Sequence, residues 1–147
     1  MGDDGILTLC AVALVVISML LMQVIVDKQR SRNLAAFWSR FCAGRAWRKE
    51  FPAEQKSSIR EFLLLLCDAF GFDKDRRLQF LPGDRLIDIY NADLGGDFVD
   101  SATLDVFARK IRERYSFDLF AAWDVDLTLG QIFEMTLHQT AQPRDRG

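Results

Sequence analysis

The chain is poor in the residues from which most catalytic and metal centres are built. Its 147 residues include one histidine, His138, and three cysteines, Cys10, Cys42 and Cys67. The cysteines are far apart and none of them has the spacing of a zinc ligand set. No Cys or Ser stands close to His138, which falls in the last turns of a predicted helix, where histidines cap carbonyls or meet solvent. The thiols read as free cysteines in a reducing compartment. No glycine-rich phosphate loop is present. The carboxylate pairs Asp97 with Asp100 and Asp124 with Asp126 are explained by loop and cap roles. With no nucleophile, base or oxyanion donor assigned, the sequence argues against an enzyme. A formal net charge of -2 assigns no partner class to the whole chain. No stretch sustains β alternation, so the chain reads as all-α.

What the sequence does have is one long apolar run. Ile6 to Val26 is 21 residues without a charge. At about 1.5 Å per residue it spans about 30 Å as a helix, the thickness of a bilayer core. A cleaved leader would carry bases before the run and a small-residue site after it, and neither is found. Asp3 and Asp4 precede the run. Lys28, Arg30, Arg32, Arg40, Arg45, Arg48 and Lys49 follow it. The positive-inside rule then puts residues 1–5 outside as a short tail, 6–26 across the membrane, and the rest in the cytoplasm. The expected setting is a bacterial inner membrane.

Residues 27–50 keep a helical pattern. Leu34, Phe37, Trp38 and Phe41 recur at i, i+3, i+4 and i+7, and Trp47 extends the stripe, with arginines on much of the other face. Such a basic amphipathic helix beside a span is suited to the headgroup layer, so Trp38, Phe41 and Trp47 are expected at a membrane or partner surface. The basic patch would then lie against lipid, and nucleic acid is set aside as a partner. The competing reading packs this helix on the soluble domain.

Residues 57–139 form the expected soluble domain, with 140–147 as a polar tail. Ser58 and Glu61 have the spacing of a capping box. Ile59, Phe62, Leu63, Leu66 and Phe70 mark one helical face, and Gly71 supplies a stop. Residues 71–79 read as a polar loop. Phe80 to Asp84 reads as a Pro-Gly turn, with Asp84 as the cap of a short helix through Tyr90. A second loop carries Gly95 and Gly96. Asp100 then reads as an N-cap and Ser101 as the first-turn residue beside it. Leu104, Phe107, Ala108, Ile111 and Tyr115 form the apolar stripe of the next helix, while Arg109, Lys110, Arg112 and Arg114 lie on its outer face. Thr128 and Gln131 form a further capping box that opens the last helix. The domain is therefore read as a small four-helix bundle with one long crossing loop.

The Asp100-Ser101 pair, the Phe117-Asp118-Leu119 ending and the Thr128-Leu129-Gly130 start resemble the acyl carrier protein family. The resemblance covers about Ser57 to Gln139. It implies a four-helix carrier fold, with phosphopantetheine attached to Ser101. The chain differs from the family in Ala102 after the serine, in a longer and more apolar approach to the pair, and in a basic rather than acidic second helix. Basic side chains there would repel the basic docking faces of a carrier's partner enzymes. The favoured expectation is thus a membrane-anchored, non-catalytic interaction module without a cofactor. Its partners are the bilayer and a protein with an acidic face, met by Arg109, Lys110, Arg112 and Arg114. The alternative is a working carrier with phosphopantetheine on Ser101, acting in lipid metabolism at the membrane.

Overall fold

A computed structural model describes residues 3–94 and 102–141, with side chains from residue 8 to 93 and from 102 to 141. Helix α1 (Asp3–Trp38) is unbroken over 36 residues, about 54 Å at helical rise. The sequence explains its length. Between Gly5 and Gly44 there is neither glycine nor proline, so nothing stops the helix at the end of the apolar run. Its two halves meet different surroundings. From Leu9 to Val26 the large apolar side chains are exposed, and the helix is long and apolar enough to cross a membrane. From Leu34 onward the helix enters the core of the domain, with Leu34 and Phe37 buried.

This corrects the expectation of a separate lipid-surface helix over residues 27–50. The segment is the end of α1, a turn, and the short helix α2 (Gly44–Glu50). In the turn, the Ala43 N–H donates to the Leu78 carbonyl at 2.6 Å. Trp38 packs edge-on against Phe72 and Phe80, at 5.3 and 5.5 Å between ring centroids. Trp47 is fully buried and its indole N–H donates to the Phe80 carbonyl at 2.8 Å. Phe51, Phe62 and Phe133 pack around it. Burying a large apolar side chain in protein is worth about 1.5–3 kcal/mol, and aromatic edge contacts add about 0.5–1.5 kcal/mol. A fluid headgroup layer offers no such fixed rings.

Helix α3 (Lys56–Phe70) runs through the middle of the domain. Ile59, Phe62, Leu63, Leu66, Cys67 and Phe70 are all buried, at the three- and four-residue spacing of one helical face. It begins two residues before the expected cap, with Gln55 as N-cap and no side-chain cap bond, so Ser58 lies inside the helix. Gly71 ends it at φ +66°, and the Phe72 N–H closes back on the Cys67 carbonyl at 2.8 Å. The expected polar loop contains a 3₁₀ segment (Lys74–Gln79), opened by the Asp73 carboxylate, which accepts from the Asp75 N–H.

Helix α4 (Leu86–Leu94) follows the Pro-Gly turn. Asp84 caps that turn rather than the helix: its carboxylate accepts from the Leu81 N–H at 2.7 Å. Helix α5 (Ala102–Tyr115) buries Leu104, Phe107, Ala108, Ile111 and Tyr115, the stripe read from the sequence. The turn after it is anchored by the fully buried Leu119. Helix α6 (Leu129–Ala141) opens on the expected capping box: Thr128 Oγ1 accepts from the Gln131 N–H, and Gln131 Oε1 accepts from the Thr128 N–H. Gly130 donates to the Pro82 carbonyl at 2.7 Å, and a Cβ there would stand 3.1 Å from that oxygen. The Pro-Gly turn is thereby seated on the start of α6.

The packing is a helical bundle with α3 against α5, α5 against α6, and α1 against α4 and the 3₁₀ segment. No strand is present among the described residues.

Candidate functional site

Two arginines, Arg30 in α1 and Arg40 just after it, fasten the apolar shaft to the domain. Arg30 donates to Asp93 of α4 and to the Phe70 carbonyl at the end of α3. Arg40, just past α1, donates to both oxygens of Asp84 at 2.7 Å. These contacts fix directions. The ends of α3 and α4 lie at Arg30, close to the apolar run, and α4 starts near Arg40 at the far end of α1, while the start of α3 shares a cavity with Cys42 and Gly44 beyond it. Burial raises the Asp93 carboxyl above its usual range, and Arg30 only partly offsets this. The sequence reading assigned these arginines to lipid headgroups, because the acids that receive them are 63 and 44 residues away.

Asp100 and Ser101, the pair that carries the carrier resemblance, lie outside the described residues. Their immediate successor, Ala102, is the first residue of α5. The outer face of that helix carries the four expected bases, and each of them meets an acid. Lys110 bonds Asp68 of α3. Arg114 makes two bonds to Glu61 of α3. Arg112 meets Asp118 at 3.1 Å. Arg109 stands 4.0 Å from Glu113 one turn on. The acids respond accordingly. The Arg114 hydrogen bond lowers the Glu61 pKa, the Lys110 hydrogen bond lowers that of Asp68, and the Arg112 hydrogen bond lowers that of Asp118. The basic face read from the helix alone is a face of ion pairs in the fold.

The aromatic residues expected at a membrane or partner surface separate in the same way. Trp47 is in the core and Trp38 is half-buried against Phe72 and Phe80. Trp47 is thereby taken out of the exposed aromatic set: its ring packs against Phe51, Phe62 and Phe133 and lies beneath the surface. Phe41 alone of the three is free, at 97% exposure.

Little in the described residues is set up for chemistry. Burial pushes the Cys67 thiol up to about 11, so it stays protonated at neutral pH. Burial, with Glu61 nearby, pushes Tyr115 up to about 12, and its hydroxyl is buried without a hydrogen-bond partner. His138 is exposed, 4.0 Å from Glu134. Among the described residues no three His, Cys, Asp or Glu side chains cluster as metal ligands would.

One grouping escaped the sequence reading. Arg45 and Arg48 of α2 and Lys56 and Arg60 of α3 line a single cavity. The available signal was spacing: each pair is three or four residues apart, on one face of its helix. Their convergence depends on the fold of the segment between them. Comparison of the chain with family models, curated proteins and solved structures found no match in any of the three.

Proposed function

We propose that the chain is a single-pass membrane protein whose helical domain is a non-catalytic interaction module in the cytoplasm of a bacterial cell. The observation that carries this reading is the double character of α1. One helix is exposed and apolar over the length of a bilayer core, and then becomes part of the domain's own core. The anchor and the domain are one element, so the domain is held at a fixed height. The bases after the apolar run favour the cytoplasmic side for the domain and the outside for the N-terminus. The order of helices and the Thr128 capping box agree with a carrier-like bundle.

The carrier alternative rests on the sequence resemblance around Asp100 and Ser101, which lie outside the described residues. The deciding experiment is intact mass after co-expression with a phosphopantetheinyl transferase. An unmodified mass is expected. An adduct that disappears in Ser101→Ala would replace the module reading with the carrier. Topology is tested separately with C-terminal reporters, where activity is expected only from the cytoplasmic one.

A further inference from the structure

The cavity between α2 and α3 has a volume of about 220 Å³. Its base is apolar, with Trp47 and Ile59 both buried. The Trp47 N–H is already occupied by the Phe80 carbonyl. Arg45, Arg48, Lys56 and Arg60 stand exposed around the opening. None of the four forms an ion pair with a described residue, unlike the bases of α5.

This combination selects a class of ligand. Small-molecule sites occupy about 300–1,000 Å³ and hold fixed polar groups that orient the ligand. This cavity is smaller, and its polar groups are flexible side chains at the rim. It has the anatomy of an interface anchor instead: an apolar pocket for one side chain, ringed by charge. Phe41, next in sequence to the lining residue Cys42, is an exposed aromatic ring without a place in the fold. Position argues against lipid. Helix α3 runs from this cavity to Phe70, which Arg30 contacts near the apolar run. Its 15 residues put about 20 Å between the two ends. The field of an anionic membrane decays over about 8–10 Å at ordinary ionic strength.

We propose that the α2–α3 cavity docks an acidic segment of a partner protein. One apolar side chain of the segment sits over Trp47 and Ile59, and flanking carboxylates pair with Arg45, Arg48, Lys56 and Arg60. The proposal rests on the interaction-module reading and names its partner surface. The two fail separately, since an adduct on Ser101 overturns that reading without touching peptide binding.

The test uses the full chain in phosphatidylcholine nanodiscs. The probes are short fluorescent peptides, each with one Phe, Leu or Trp flanked by Asp and Glu, read by anisotropy. Binding is expected for at least one peptide, weakening about tenfold or more in Arg45→Glu/Arg60→Glu. Bound peptide is expected to slow alkylation of Cys42. Arg109→Glu, on the paired face, is expected to bind as the parent does. Circular dichroism confirms that each variant is folded. The proposal is overturned if no peptide binds. Equal weakening in Arg109→Glu overturns it by showing diffuse attraction. Equal binding of peptides with Ala in place of the apolar residue overturns it by showing that the cavity is unused. Capture of the nanodiscs by phosphatidylglycerol vesicles, lost in Arg45→Glu/Arg60→Glu, overturns it in favour of lipid.

Discussion

The domain has two basic regions, and they differ in what answers them. On α5, Lys110 and Arg114 reach acids of α3, and Arg112 reaches Asp118 in the turn beyond. Around the α2–α3 cavity, Arg45, Arg48, Lys56 and Arg60 have no such acid among the described residues. A sequence shows both regions as runs of like charge. Only the fold separates charge used to hold helices together from charge left for something else.

The largest expected effect comes from the ring beneath the unpaired region. Trp47→Ala should cost about 3–5 kcal/mol, the usual range for removing a buried aromatic, measured by chemical denaturation. A loss near zero would return Trp47 to the surface and dissolve the cavity floor. Next is the paired side. The buried Tyr115 hydroxyl has no partner, and an unsatisfied buried polar group costs about 1–3 kcal/mol. Tyr115→Phe should therefore stabilise the domain by about 1–2 kcal/mol. A destabilised variant would mean that the hydroxyl is bonded after all.

The pH response should distinguish the two regions. Glu61, Asp68 and Asp118 titrate below their usual values because of Arg114, Lys110 and Arg112. The native state thus binds fewer protons than the unfolded chain in that range. Stability from these pairs is fully present above the ordinary carboxylate values of 4.5 and 3.8 and is lost as pH falls below them. Melting temperature should fall with acidification, and less steeply in Glu61→Gln. An unchanged slope would show the pairs to be incidental. The smallest effect belongs to the unpaired cations. Arg45→Gln/Arg48→Gln should change stability by less than about 0.5 kcal/mol, as exposed substitutions without partners do. A larger loss would mean that these residues support the fold.

The helices were legible in the sequence wherever a single face decided them. The stripe of α5, the stop at Gly71 and the Thr128–Gln131 cap are local patterns, and the structure has each of them. What could not be read was which helix meets which. The stripe of Leu34, Phe37 and Trp38 fits a headgroup layer and a protein core equally well, because both reward an amphipathic face. Its true neighbours, Phe72 and Phe80, are more than thirty residues away in an apparent loop. The same limit hid Arg30 with Asp93 and the meeting of Arg45 with Arg60. Asp84 was read as a helix cap because it precedes α4. Its carboxylate instead serves the Pro-Gly turn and a distant arginine.

The unbroken α1 has a rotational consequence. A helix without a hinge transmits turning as well as height. Each residue added between the apolar run and Leu34 would swing the whole domain by about 100° around the shaft and raise it by about 1.5 Å. Were α1 set in a bilayer, its azimuth would decide which way the α2–α3 cavity looks. Neighbouring proteins that grip the span would aim the domain without touching it.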